Sequence, residues 1–313
     1  MMPELPSEDS SKAIIKTLMS TTRDEPYFKT LSEVSILKHA PTRSVFRAEL
    51  NQTPVVIKQF HHRQAANTVR TMVQELSLLS QHMTAPNYKA VTPIAAFPEL
   101  GIAVLGFISG TSVSEILETT PSPVRSDLLS DCAHWLETYI GDRCELQSFT
   151  PQHWLDLLAK TPVPSLTAAQ SYLLDAVQNS LISQAPKLES HPVRMGAVHG
   201  DFIPDNLIKC RDTLWGIDIQ GLTWGSVTHD CARFLASLHT TLCQPEQALK
   251  AGVFLGDHKA LFSTGEHHTI NEQAIFRFFV GYELYIKIIH MRRNPIGFAR
   301  VEALLMSYFS DFE

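Results

Sequence analysis

Apolar positions along the chain first change period near residue 60. Before it, Val34-Ser-Ile-Leu37, Ser44-Val-Phe-Arg-Ala-Glu-Leu50 and, past an Asn51-Gln-Thr-Pro54 turn, Val55-Val-Ile-Lys-Gln-Phe60 read as strands. The period of two puts Val56, Lys58 and Phe60 on one face of the third. From Ala65 to Ser80, Ala65, Ala66, Val69, Met72, Val73, Leu76 and Leu79 recur at helical spacing, with Glu75 on the flank of the stripe. Ser11–Ser20 predicts a short helix ahead of the strands, and Gly101–Gly110 an apolar strand running into a flexible link. Beyond it the chain is mainly helical. Leu128, Leu129, Cys132, Trp135, Leu136, Tyr139 and Ile140 form one stripe; Leu173, Leu174, Val177 and Leu181 form another after a break at Pro162–Pro164. A last clear stripe, Cys231, Phe234, Leu235, Leu238 and Leu242, opens with Asp230 near its start.

Between these helices lies the densest chemistry, His199-Gly-Asp-Phe-Ile-Pro-Asp-Asn206, followed by Leu214-Trp-Gly-Ile-Asp-Ile219. The second piece reads as a short apolar strand with one charge, Asp218, buried in it. Such a charge is costly unless paired, and a hard divalent cation takes carboxylate and amide oxygens. Phosphoryl transfer uses such a set: one Asp for the attacking hydroxyl, an Asn and a second Asp for Mg²⁺. Taken singly, Asp201 and Asp205 read equally well as turn caps.

His-Gly-Asp-x-x-x-x-Asn followed by Ile-Asp resembles the aminoglycoside phosphotransferase and choline kinase group, small-molecule relatives of the protein kinases, with Gly200 where protein kinases carry Arg. The resemblance implies an α+β, bilobal protein kinase-like fold, with a small antiparallel-sheet lobe over residues 1–107 that binds nucleotide. A mainly helical lobe over 108–313 then carries catalysis and substrate. It implies ATP and Mg²⁺ as cofactors, Asp201 as catalytic base, and Asn206 and Asp218 as metal ligands. Lys58 becomes the phosphate anchor and Glu75 its ion-pair partner, against readings of Lys58 as a snorkelling edge lysine and of Glu75 as solvent-facing. Backbone groups of Gly106 and Ile108 become the adenine-binding hinge; the alternative is a buried strand and a turn. Asp230 matches a position that braces the catalytic loop, although an acid in a first helical turn is favoured by the helix dipole alone. His199 resembles a structural histidine.

Two departures matter. The first hairpin loop, Lys38-His-Ala-Pro-Thr-Arg-Ser44, has no glycine, which denies the phosphates a close backbone cradle. Ser44 or Thr42 offers a hydroxyl instead, and Arg43 a charge. No activation segment or Ala-Pro-Glu motif separates Asp218 from Asp230, so a peptide has little to dock on and a small-molecule hydroxyl is the expected acceptor. The rivals are a nucleotide-binding pseudokinase kept for partner binding and, disfavoured by the missing segment, a protein kinase.

Composition adds limits. At 313 residues, 44% hydrophobic and 19% charged, the chain is an ordinary globular one with ample core. A net charge of -6 argues against nucleic acid as a partner. Five cysteines, Cys132, Cys144, Cys210, Cys231 and Cys243, are odd in number and widely spaced, which suits reduced thiols in a cytoplasmic protein. The acidic N-terminus is not a signal peptide, and no apolar run is long enough to span a membrane. His258, Glu266, His267 and His268 lack zinc-ligand spacing. Tyr308-Phe-Ser-Asp-Phe-Glu313 crowds acids beside aromatics at a chain end expected to fray. Oligomeric state has no signature in the sequence.

Overall fold

A computed structural model describes residues 7–120, 122–242, 248–263 and 270–310. In chain order the first elements are α1 (Glu8–Thr22), β1 (Ser32–Ala40), β2 (Arg43–Leu50), β3 (Thr53–Phe60), α2 (Ala65–His82), β4 (Tyr88–Ala90), β5 (Pro93–Phe97) and β6 (Ile102–Gly106). Next come β7 (Thr111–Ser112), α3 (Val113–Thr119), α4 (Ser122–Ile140), β8 (Cys144–Ser148), α5 (Pro151–Lys160), α6 (Ala168–Leu188) and β9 (Pro192–Val198). The rest includes β10 (Leu207–Cys210), β11 (Thr213–Gly216), β12 (Thr223–Ser226), α7 (Val227–Thr241), α8 (Leu255–Leu261), α9 (Ile270–Met291) and α10 (Pro295–Ser310). The chain divides into two compact units, Met1–Gly110 with Ile208–Leu222, and Thr111–Leu207 with Thr223–Glu313. Residues 208–222, which a cut at 107 leaves with the second half, pack with the first unit.

The first unit is built on a five-stranded sheet in the order β1-β2-β3-β6-β5, antiparallel throughout. Leu18 of α1, with Phe28 and Leu31, closes a core against Phe46, Ala48, Leu50, Val55, Ile57, Ile102 and Val104. Helix α2 takes no part in that cluster. It packs on β3, β5 and β6 and buries Val69, Met72, Glu75, Leu76 and Leu79, four of them on the predicted stripe. The hairpin between β1 and β2 is tighter than its sequence suggests. Ala40 pairs with Arg43, so only Pro41 and Thr42 form the turn and the rest of the expected loop is strand.

The apolar run at 214–219 also differs from expectation. Strand β11 pairs in parallel with β4, Leu214 opposite Tyr88 and Gly216 opposite Ala90, and stops there. Asp218 follows at φ 60°, a left-handed conformation that no strand contains and that Asp adopts more readily than most residues. It lies past the strand, not inside it.

The second unit is mainly helical. Its three-stranded antiparallel sheet, β12-β9-β8, holds the segment that leads into the His199 loop. Helix α7 packs on α9, and α9 on α6 and α10. Phe234, Leu235 and Leu238 of α7 and Phe278 and Phe279 of α9 are buried there. Helix α5 has no counterpart in the sequence reading; Pro151 at its first position is the readable signal. Tyr308 is fully buried, its hydroxyl accepting from Gln184 Nε2 at 2.8 Å, so the last helix is anchored up to that point. Asp311, Phe312 and Glu313 lie outside the described residues, as do Cys243, Glu266, His267 and His268. Cys144, Cys210 and Cys231 are free thiols, and Cys132 is buried. Among the described residues no helix is long and apolar enough to cross a membrane.

Candidate active site

In the second unit, the loop after β9 turns at Gly200, whose φ of 77° favours glycine over any residue with a Cβ. Two helices fix the turn. Asp230, in the first turn of α7, accepts the His199 N–H at 2.8 Å on Oδ2 and the Gly200 N–H at 3.2 Å on Oδ1. One helical turn on, Arg233 donates from Nη1 to the Gly200 carbonyl and from Nε to Glu283 Oε1 of α9, the latter at 3.1 Å. That same oxygen lies 2.6 Å from His229 Nε2. Burial pushes the Asp230 carboxyl up to about 7, over the opposing pull of Arg233 and the two amides. Burial also opposes ionisation of Glu283, yet the His229 hydrogen bond and the Arg233 charge hold its carboxyl down to about 2.

His199 itself is buried and packed. Its ring centroid lies 5.9 Å from that of Trp135, 6.1 Å from Tyr139 and 6.3 Å from Phe202. Nδ1 accepts the Asp201 N–H at 3.4 Å. These contacts suit a residue that shapes the loop. Asp201 is exposed. Asn206 Nδ2 donates to the Asp201 carbonyl at 2.8 Å and to Asp201 Oδ2 at 3.2 Å. Both bonds leave from the amide nitrogen, which turns the amide oxygen of Asn206 away from Asp201 as a candidate ligand. The loop thus ties the Asp201 carboxyl to the Asn206 amide.

The first unit holds the other predicted residues. Lys58 Nζ donates to Asp218 Oδ1 at 2.7 Å, and Arg43 forks onto the same carboxylate, Nη1 to Oδ1 at 3.3 Å and Nη2 to Oδ2 at 3.1 Å. Side chains of Lys58, Asp218 and Arg43 are 6%, 13% and 16% exposed, so this is a partly desolvated triad. Burial disfavours both charges, lowering the Lys58 pKa despite Asp218. Lys58 and Arg43 nevertheless hold the Asp218 carboxyl down to about 2. Glu75 is buried on α2, and Lys58 makes an ion pair with Asp218.

Ser44 is not a free hydroxyl at the turn. It is fully buried, with Oγ 2.9 Å from His39 Nδ1 and 2.8 Å from His61 Nε2. A hydroxyl has one proton to give, so one imidazole must accept and the other donate. Held this way, the serine ties β1, β2 and the end of β3 together. The Gly106 N–H is committed to the Thr92 carbonyl at 2.9 Å, and Ile108 lies in an irregular stretch after β6.

Sequence reasoning named Asp201, Asn206, Lys58 and Asp218 but not Arg233, Glu283, His229 or the Arg43–Asp218 fork. Arg233 was within reach of inference, three residues from Asp230 on one helix face. Glu283 was too, as a lone acid in the apolar window Ile275–Ile289, the same signal that drew attention to Asp218. Among the described residues, no group of three or more His, Cys, Asp or Glu side chains is arranged to hold a metal ion. His258 instead packs on Phe262 and Phe276. The oxygen donors of Asn206 and Asp218 suit a hard cation as ligand types, and the cations around Asp218 suit phosphates.

Residues 36–261 match the family model described as the phosphotransferase enzyme family. No curated protein matches the sequence. Among solved structures, one similar to this chain is a thermostable mutant of aminoglycoside phosphotransferase APH(4)-Ia in ternary complex with ADP and hygromycin B. It is 9% identical over 94% of this chain and 98% of that one, with a TM-score of 0.58. A choline/ethanolamine kinase family protein from Mesorhizobium loti is 15% identical over 93% and 95%, with a TM-score of 0.58. An amicoumacin kinase, hAmiN, in complex with AMP-PNP, Ca²⁺ and Ami is 12% identical over 98% and 94%, with a TM-score of 0.55. At such identities the likeness is one of fold, and it is the kinase-like α+β fold read from the sequence.

Proposed function

The chain belongs to the phosphotransferase enzyme family, and from that membership we propose that it transfers the terminal phosphoryl group of ATP to a hydroxyl of a small molecule. The observation that carries this reading is the lock between Asn206 Nδ2 and Asp201, which ties the Asp201 carboxyl and the Asn206 amide into one loop braced by Asp230 and Arg233. Asp201, exposed on its loop, serves as the base and takes the acceptor hydroxyl's proton as the oxygen attacks. Asn206, through its amide oxygen, and Asp218, through its carboxylate, serve as the Mg²⁺ ligands. Bound there, the ion would neutralise charge on the phosphates. Lys58 holds a phosphate with Glu75 as its ion-pair partner, and the backbone of Gly106 and Ile108 faces the adenine. ADP or AMP-PNP in the complexes of two similar structures supports ATP as the donor. Hygromycin B and amicoumacin in those complexes, and the brevity of the 218–230 segment, support a small acceptor.

A coupled ADP-release screen of the purified chain, run against hydroxylated metabolites and aminoglycosides, tests the reading. One acceptor class should drive ADP release. With that acceptor, Asp201→Asn should lose about 10²–10⁴-fold in turnover, the worth of general-base assistance, while Mg-ATP binding persists. Tight Mg-ATP binding with no acceptor-dependent ADP release from any compound would instead mark a nucleotide-binding scaffold.

A further inference from the structure

We infer that Arg43 takes the place of a glycine-rich loop: its guanidinium, which forks onto Asp218, is the phosphate clamp, and metal reaches Asp218 only together with nucleotide. This deepens the nucleotide-dependent reading above and rests on it.

The hairpin leaves the backbone little to offer a phosphate. Its turn is Pro41 and Thr42 alone, with Ala40 already paired to Arg43. Pro41 has no N–H, neither turn residue adopts the left-handed backbone that opens a nest of amides, and the Thr42 carbonyl is taken by the His61 N–H. The side chain that starts β2 is placed differently. Arg43 follows the turn directly, and its root is fixed because Ser44, the next residue, is locked between His39 and His61. From that root the guanidinium reaches Asp218 as a two-pronged fork.

Two cations share one carboxylate, since Lys58 holds Asp218 Oδ1 as well. The triad keeps one positive charge in surplus in a partly buried place, where opposite charge is worth more than in water. A bare divalent cation approaching Asp218 adds to that surplus and must break the fork and the Lys58 contact. A polyphosphate reverses the balance. A guanidinium fork matches phosphate oxygens as well as carboxylate ones, so Arg43 can pass from Asp218 to the nucleotide and free the carboxylate for the arriving metal. Lysine in its place would keep the charge and lose the fork.

Mn²⁺ as a spin probe reads this directly on the full chain, with and without AMP-PNP, in wild type, Arg43→Lys and Arg43→Met. Wild type should bind Mn²⁺ at least about tenfold more tightly with AMP-PNP than without. Arg43→Met should weaken AMP-PNP binding about 10–100-fold, the loss of a charge-assisted fork, and should tighten nucleotide-free Mn²⁺ binding. Arg43→Lys should fall between the two in nucleotide affinity. Equal Mn²⁺ affinity in wild type with and without AMP-PNP overturns the inference and needs no variant to fold. So does an Arg43→Met chain that melts normally and binds AMP-PNP as wild type does, with the parent reading intact if Lys58→Met still abolishes that binding. Failure of folded wild type to bind AMP-PNP at any metal concentration overturns the parent reading itself.

Discussion

Replacing Asp230 separates two roles for an acid in a first helical turn. If it serves only the helix dipole, its loss costs about 0.3–1 kcal/mol. The contacts set a larger figure, because both carboxylate oxygens accept backbone N–H groups, from His199 at 2.8 Å and Gly200 at 3.2 Å. Asparagine keeps one acceptor and turns an NH₂ toward the other amide, leaving one N–H unmet at about 1–3 kcal/mol; alanine leaves both unmet, at about 2–6 kcal/mol. Urea unfolding measures this as a fall in midpoint with the slope unchanged. The pH dependence carries a sign. Burial raises the Asp230 carboxyl from 3.8 to about 7, so the folded chain holds this proton more tightly than the unfolded chain does. The stability it contributes is present below about pH 4 and lost as pH rises through about 7. Asparagine does not titrate, so Asp230→Asn should cost more at pH 5 than at pH 8.5. A cost under about 1 kcal/mol at both pH values would refute the brace, and a cost that grows with pH would contradict the raised carboxyl.

Two further substitutions probe the supports of the helical unit. Glu283→Gln removes the anion shared by His229 and Arg233 and should cost about 3–5 kcal/mol at pH 7. Because the Glu283 carboxyl is held at about 2, its contribution is present above its ordinary 4.5 and fades as pH falls toward 2, so equal costs at pH 7 and pH 3 would count against it. Asp257→Asn breaks a buried network in which Asp257 accepts from Arg125 Nε at 2.9 Å and Nη2 at 2.6 Å, with His239 Nε2 at 3.0 Å. It should also cost about 3–5 kcal/mol while the folded fraction keeps its nucleotide affinity; an unchanged denaturation midpoint would contradict it.

What the sequence made legible follows covalent distance. Asp201 and Asn206 are five residues apart, and their hydrogen bond lies within one loop, so spacing alone pointed to the pair. Strand alternation and the α2 stripe were readable because each is set by a single packed face. The Arg43–Asp218 fork joins residues 175 positions apart, and Arg125–Asp257 spans 132, so no local pattern encodes either. The misreading of 214–219 has a narrower cause. Ile217 and Ile219 continue the apolar composition of a strand, but strand pairing ends at Gly216 and Asp218 takes a left-handed turn. Alternation counts apolar residues and does not register one positive φ. The same blindness to backbone geometry made a seven-residue loop of a hairpin whose turn is two residues long.

The motif also depends on parts of the chain made after it. Gly200 in its left-handed conformation has its N–H bound by Asp230 and its carbonyl by Arg233, and Arg233 is itself held by Glu283. Each support lies C-terminal to the loop, the last on α9, which packs against α7. A chain lacking the α7–α9 pairing would hold every residue of the motif and still lack its geometry, since the Gly200 amide and carbonyl would turn to water. Loop order and the packing of these two helices are therefore one cooperative event. Substitutions at Asp230 and at Glu283 act on a shared network, and their costs should not add: the double variant should lose less than the sum of the singles.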